Sequence, residues 1–379
     1  MDSPANNTVA IVRCPDYDPA KVQSSIRRAV GLLGGMGSFV RPGDRVLVKP
    51  NMLTAKPPEK AVTTHPEVVR AILRLVKEAG GAPFIGDSHA IGGFARVSEV
   101  TGIAQVARDE GVKLIELSEA VEVKGEGRFK RFELSADAVR ADRIINLPKV
   151  KTHGQMLLTL AVKNLFGLIP GRRKAQWHFK AGVDRNAFAT MLVELHGLVK
   201  PALSVADGVV GMEGNGPGNG TPRELGLIAA SSDAFALDYV LSEILGVNAD
   251  TLLTNRVARK MGLAPDNLSD IGLLGDFGTI REAVVKGFKL PSTSSLEWTI
   301  PEPMRRLLKK ALTTRPRIDK GKCQLCLMCQ TACPAGVIDQ SGDGLKINYR
   351  DCIRCFCCQE VCPVGAIDVV EGWLLKYLG

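Results

Sequence analysis

Eight of the ten cysteines fall into two copies of one spacing. Cys323, Cys326, Cys329 and Cys333 precede Pro334, and Cys352, Cys355, Cys358 and Cys362 precede Pro363. Gaps of two residues bring three thiolates of a run onto one tight loop around a [4Fe-4S] cubane, and the fourth, ahead of proline, is turned toward a second cluster. A zinc site would favour two Cys-x-x-Cys pairs far apart, with no third cysteine two residues on and no Cys-Pro. Disulfides fit less well. The start, Met1 to Thr8, is polar and lacks the basic and apolar regions of a leader, so the chain is expected in the cytoplasm, where thiols stay reduced. Pro-Ala-Gly-Val-Ile-Asp at 334–339 returns as Pro-Val-Gly-Ala-Ile-Asp at 363–368, which marks an internal duplication. Cys14 and Cys357 stand outside the pattern. Cys357 reads as a bystander packed beside the cluster, with a spare ligand or redox handle as the alternative.

These runs resemble bacterial two-cluster ferredoxins. The resemblance implies two [4Fe-4S] clusters with crossed ligands: Cys323, Cys326, Cys329 and Cys362 around the first, Cys352, Cys355, Cys358 and Cys333 around the second.

A second group of reactive side chains stands where apolar runs stop. Val46-Leu47-Val48 leads into Lys49-Pro50-Asn51, Phe84-Ile85-Gly86 into Asp87-Ser88-His89, Ile144 to Leu147 into Pro148-Lys149-Val150-Lys151-Thr152-His153, and Ser204-Val205-Ala206 into Asp207-Gly208. A loop that only turned would need Gly, Pro, Asn or Asp. Lysines and histidines at several such ends point to a pocket for an anion, because open parallel sheets bind ligands beyond the carboxyl ends of their strands. Thr63-Thr64-His65-Pro66 precedes an apolar helix, so a threonine is expected to cap it with His65 near its open end. Lys163-Asn164-Leu165-Phe166-Gly167 is followed by the basic run Arg172-Arg173-Lys174, which could clamp a carboxylate or phosphate. His178 and His196 read as structural. Gly208 to Gly220, with Glu213 and Asn215, is rich enough in glycine to let backbone amides approach an anion. It leads into a strand pattern, so it is no dinucleotide fingerprint, and no nicotinamide, flavin or Walker motif is found.

Alternating apolar runs and helical patterns over the first 275 residues predict an α/β fold, a largely parallel sheet with flanking helices. Strands are expected at 9–14, 45–49, 83–87, 113–117, 143–148, 202–207 and 225–230, helices at 20–33 and 66–79, two further helices between 233 and 261, and a hairpin at 121–134. The domain scheme is an α/β domain at 1–275 in one or two lobes, a connector at 276–320 with a basic amphipathic helix around Met304 to Leu312, a small α+β two-cluster ferredoxin-like domain at 321–370, and a tail at 371–379.

With 45% hydrophobic residues the chain can bury a large core. Its formal charge is +9, and two oxidised clusters with their thiolates, at about −2 each, would bring this to about +5. That balance suits anionic small molecules or an acidic redox partner protein. No dense basic stripe or base-stacking motif argues for nucleic acid, and no apolar run is long enough for a transmembrane segment.

Lys49-Pro50-Asn51, Thr64-His65-Pro66, Gly86-Asp87-Ser88, Asn146-Leu147-Pro148-Lys149 with Lys151-Thr152-His153, Lys163 to Gly167, and Asp207-Gly208 with Gly211-Met212-Glu213-Gly214 together resemble the domain of unknown function 362 family. Members of that family often carry a carboxyl-terminal ferredoxin module. The resemblance implies a recurring pocket and an iron–sulfur partnership, especially in anaerobic metabolism, and no established reaction. On this reading the chain is an iron–sulfur oxidoreductase that passes electrons to an anion at the strand ends. Lys149, Lys151 and Lys163 stabilise negative charge; Lys49, Asn51, Ser88, Asn164, Glu213 and Asn215 complete the binding site. His153 or His65 donates the proton, and Asp87 and Asp207 orient donors or a metal. The alternative is a non-enzymatic electron carrier or maturation factor that docks a client protein or holds a metal or cofactor precursor.

Overall fold

The computed structural model describes residues 7–89, 93–171, 173–181, 184–291, 314–342 and 344–370. In chain order the strands up to residue 275 are β1 (Thr8–Arg13), β2 (Arg45–Pro50), β3 (Ala82–Asp87), β4 (Leu114–Glu116), β5 (Ala120–Lys124), β6 (Arg131–Ser135), β7 (Arg143–Leu147), β8 (Lys149–His153), β9 (Leu157–Thr159), β10 (Leu203–Glu213), β11 (Thr221–Ser231) and β12 (Gly272–Gly275). Eight of them lie in the order β12-β1-β11-β10-β7-β2-β3-β4, with β8 pairing β10 and β9 pairing β8. Neighbours are parallel except across β1–β11, β10–β11 and β8–β9, so the sheet is mixed and mostly parallel. The hairpin expected at 121–134 is β5–β6.

Strand alternation assigns the two faces. Val46 and Val48 point to one side, with Ile26 and Ile72 of the helices Pro19–Leu32 and Pro66–Glu78, while Leu47 points to the other, with Phe188 and Leu192 of the helix Arg185–Val199. Each fully buried side chain of this size contributes about 1.5–3 kcal/mol. Helix starts follow local chemistry. Asp18, Asp184 and Asp233 each accept two backbone N–H groups at a first turn. The expectation that a threonine caps Pro66–Glu78 is corrected: His65 is the cap, its Nδ1 accepting from Glu67 N at 3.2 Å, while Thr64 Oγ1 donates to Leu147 O.

Two segments expected as loops are strands. Lys149–His153 continues the line of β7 past Pro148, which donates no hydrogen bond, and pairs with β10 at Asp207 and Met212. The stretch from Gly208 to Glu213, read as an anion-cradling loop, runs as the outer half of β10, paired with β11. Together they form a wall that rises above the carboxyl edge of the sheet.

The connector divides. Phe277, Ile280 and Ala283 pack into the α/β core, and Gly214 N donates to Lys289 O at 2.7 Å. β13 (Arg315–Ile318) already belongs to the small unit, where it pairs with β16 (Ile367–Val370) beside the hairpin β14 (Ile338–Ser341) and β15 (Gly344–Ile347). The basic run Met304 to Leu312 and the tail from 371 lie outside the described residues. No described helix is long and apolar enough to cross a membrane.

His178 is buried and stacks on Phe188 at 4.5 Å, where burial lowers its pKa to about 3. Because the fold holds the neutral imidazole, its stabilising share is present above pH 6.5 and is lost as pH falls toward 3. His178→Phe should remove that share: by denaturant titration the stability gap between variant and wild type should shift in the variant's favour by about 2 kcal/mol between pH 7 and pH 5. A gap that does not change with pH would contradict the burial argument.

Candidate functional site

The duplicated cysteine runs fold into near-copies. Leu325 and Leu327 in the first, Arg354 and Phe356 in the second, all take left-handed backbone with φ of 53–60°. Alternation of this kind turns successive N–H groups toward one concave side, a nest for negative charge. Behind each run a backbone amide reaches a thiol: Val337 N lies 3.5 Å from Cys333 Sγ, and Ala366 N lies 3.1 Å from Cys362 Sγ. Two cavities of similar size result. Cys323, Cys326, Cys329 and Cys362 line the first with Ile318, Leu345 and Ile367, and Cys333, Cys352, Cys355 and Cys358 line the second with Ile338 and Phe356. These are the crossed sets implied by the ferredoxin resemblance. Four thiols, inward amides and an apolar lining are the donor set of an iron–sulfur cluster.

At the sheet, period-two geometry puts Lys149, Lys151 and His153 on one side of β8, while Val150 turns into the core. Lys149 Nζ donates to Asp207 Oδ2 at 2.9 Å and to Tyr17 OH at 2.6 Å, and the Tyr17 hydroxyl donates to Asp207 Oδ1 at 2.7 Å. Lys151 donates to Asn51 Oδ1 and to Val62 O, both at 2.6 Å. Lys49, fully buried, faces Asp87 Oδ1 at 2.9 Å, and Asp87 also accepts from Met52 N and Ser88 N. Asn51, Asn164 and Asn146 join these strands by side-chain amides. Asp238 accepts from Ala161 N and Val162 N and so fixes the short helix Ala161–Asn164, which carries Lys163. Lys174 donates to the carbonyl of Ser88, whose hydroxyl accepts from Gly171 N at 3.0 Å.

The small unit is seated on this face through its second cysteine loop. Asn219, at the tip of β10–β11, donates to Gln359 O at 2.9 Å, and Gln359 donates to Asn215 O at 3.1 Å. Lys56 donates to Gly218 O and Asn219 Oδ1 and holds that amide in place. At Gly218 an added Cβ would stand 2.8 Å from Glu360 O, so the approach needs glycine. Glu360 Oε1 lies 3.2 Å from His153 Nε2, and the Glu360 carboxylate acts electrostatically on Lys151 and Lys163. Burial pushes the Lys151 and Lys174 ammonium groups down to about 7 and raises the Glu360 carboxyl. Five lysines, 49, 149, 151, 163 and 174, are thus set against the carboxylates of Asp87, Asp207 and Glu360. Among the described residues, Gln155 Oε1, Gln359 Oε1 and Glu360 Oε1 are buried without a hydrogen-bond partner.

The fold therefore gathers Lys49, Asn51, Asp87, Ser88, Lys149, Lys151, His153, Lys163, Asn164 and Asp207 into one network, with His65 at its edge, stacked on Tyr17 at 3.6 Å. Two expected ligand-binding residues lie elsewhere: Glu213 Oε2 accepts from Lys289 N, and Asn215 belongs to the docking contact. The neutral-pH titration expected of the histidines is also corrected. Burial lowers His65 to about 4 and His153 well below its usual value, and both Nδ1 atoms accept backbone N–H groups, which leaves the proton on Nε2. Asp87 and Asp207 each meet a lysine and accept from backbone amides. In the basic run, Arg173 pairs with Glu133. Sequence reading missed Tyr17, Lys56, Asn219 and Glu360. The period-two pattern from 149 to 153 signalled β8, but nothing local signalled the partners that come from distant elements.

The family model for "Domain of unknown function (DUF362)" matches residues 46–243, which contain this network, and a 4Fe-4S dicluster domain matches residues 315–363. The chain belongs to the DUF362 family. It is 42% identical over 303 residues to a thylakoid-associated protein of Synechocystis sp., covering 80% of this chain and 94% of that protein. Among solved structures it aligns with the lactate racemase apoprotein from Thermoanaerobacterium thermosaccharolyticum at 12% identity and a TM-score of 0.42, over 63% of this chain and 59% of that one. A Thermotoga maritima protein aligns at 14% identity and a TM-score of 0.34, over 53% and 52%. The 4Fe-4S ferredoxin domain gives this DUF362 protein an iron–sulfur electron-transfer role.

Removing one member of a buried ion pair costs about 3–5 kcal/mol because its partner is left charged and dry. Asp87→Ala should cost that much by denaturant titration. Lys49→Met should cost less, since the remaining carboxylate keeps the Met52 and Ser88 amides. Equal losses, or losses below about 1 kcal/mol, would contradict a charged buried pair.

Proposed function

We propose that this DUF362 protein is an iron–sulfur oxidoreductase in which two clusters, one per cysteine set, pass electrons to an anionic small molecule at the strand ends of the α/β domain. When bound, the clusters supply single electrons over a wide range of low potentials. The observation that carries the reading is the seating of the Cys355–Cys362 loop on the lysine-bearing face of β8, with Glu360 opposite Lys151 and Lys163. A cluster ligand loop and a cationic strand end share one interface, which excludes bulk water and strengthens every charge within it.

In this scheme Lys151 and Lys163 bind the carboxylate or phosphate of the substrate and stabilise the charge that reduction adds. The surplus of lysines over carboxylates supports an anion as the missing counter-charge. Lys151, held near pH 7 by burial, holds a transferable proton, and the Nε2–H of His153 orients an acceptor oxygen. Lys49–Asp87 and Lys149–Asp207–Tyr17 keep the strand ends rigid around it. Domain limits of about 8–290 and 315–370 fit this division of labour. Cytoplasmic placement fits the ligand thiols; the Synechocystis relative is named as thylakoid-associated.

A carrier that only docks a client protein is the second reading. It is favoured by the internal partners already held by Lys49, Lys149 and Lys151.

The holoprotein, expected to hold about eight iron atoms, is reduced without oxygen, and its absorbance and paramagnetic signal are followed against a panel of anionic metabolites. Reoxidation by a small molecule is expected in wild type, weakening above pH 7 as Lys151 loses its proton, and lost in Lys151→Ala with iron content intact. Reoxidation only by a second protein, indifferent to Lys151→Ala, would favour the carrier.

A further inference from the structure

The duplication supplies an internal control on how the two cysteine loops meet their surroundings. In the second loop Cys355, Phe356 and Cys358 are buried, with Phe356 only 1% exposed, because the α/β domain covers them. In the first, Cys326 is exposed, Leu325 is 36% exposed, and residues 320–322 stand in solvent. Val364, also 36% exposed, lines the first cavity beside them. Loops of the same backbone form thus differ in setting: one faces the strand ends and the other faces out.

Their charges differ as well. Lys322 immediately precedes Cys323, and Lys320 stands two residues earlier; the residue matching Lys322 in the second run is Asp351, which accepts from Asn348. The outward loop therefore exposes Leu325 and a cluster thiol, with Val364 exposed at the same cavity, and carries the exposed Lys320 and Lys322 just ahead of it, Lys322 standing 3.4 Å from Asp319. Interfaces for brief electron-transfer encounters are small, and complementary charge at their rim steers the approach.

We propose that electrons enter at the first cysteine loop, where a protein electron carrier with an acidic rim docks on the exposed Leu325 and Val364 and is steered by Lys320 and Lys322. The inference rests on the reading that the module feeds the strand ends. At each encounter the carrier is oxidised by one electron, which is accepted at the site of Cys323, Cys326, Cys329 and Cys362; two encounters supply the pair needed for a two-electron reduction. The second set, Cys333, Cys352, Cys355 and Cys358, lies between this entry and Lys151.

The test uses oxidised full-length holoprotein and a reduced plant-type ferredoxin, an acidic one-electron carrier, mixed anaerobically in a stopped-flow instrument with no substrate present. Wild type should be reduced in a second-order step that slows as salt rises from 0.05 to about 0.5 M. Lys320→Glu with Lys322→Glu should slow it roughly tenfold or more, whereas Arg350→Glu, at the exposed start of the second run, should leave it unchanged. Dithionite should reduce all three proteins alike. No reduction of wild type by the carrier, a rate indifferent to salt, or equal slowing by Arg350→Glu would overturn the entry site. Because no anion is present, such a failure leaves the substrate reading to its own experiment.

Discussion

Buried positive charge governs the architecture of this DUF362 protein. Lys49, Lys149 and Lys151 are essentially inaccessible to water, and an ammonium group removed from water without compensation costs several kcal/mol. Each is therefore met by a partner from another element: Asp87 from the end of β3, Asp207 from β10, Asn51 from the turn after β2. Those contacts tie four strand ends together, and they leave Lys151 and Lys163 facing the carboxylate of Glu360. Glu360 lies between two cluster cysteines, so the need to balance charge at the strand ends also fixes where the iron–sulfur module sits.

This dependence runs from sequence to function through strand geometry. β7 breaks at Pro148 and resumes as β8 along β10, which lifts Lys149, Lys151 and His153 above the sheet on one side. The tip of β10–β11 then supplies Asn219, Lys56 locks its amide, and Gly218 lets the module backbone approach. Duplication made two equivalent cysteine loops, and docking made them unequal. Only the covered loop adjoins the lysines.

Much of this was legible in the chain. Fixed cysteine spacing marks the two runs, whose crossing the resemblance to two-cluster ferredoxins implied, and the strands whose apolar runs end at Lys49, Asp87 and Asp207 could be read directly. What stayed hidden depends on tertiary partners. A helix begun by His65-Pro66 looks as though its preceding threonine should cap it, yet Thr64 is drawn away to Leu147 O and the imidazole takes the role. Histidines near strand ends read as neutral-pH proton donors until burial and two amide donors hold the His153 ring neutral. Glu360, flanked by cysteines, gives no local sign that it will face lysines some two hundred residues away.

The seating of the module on β8 is the central claim, and a distance measurement tests it most directly. A nitroxide placed at the exposed Glu122→Cys of the α/β domain, in holoprotein with reduced clusters, reports its separation from the module by pulsed electron–electron resonance. Narrow distance distributions, one for each reduced cluster, that do not change with salt are the result expected of a module fixed by Asn219, Gln359 and Glu360. Distributions that are broad, or that shift with salt, would mean that the module swings free of the strand ends, and would contradict the account.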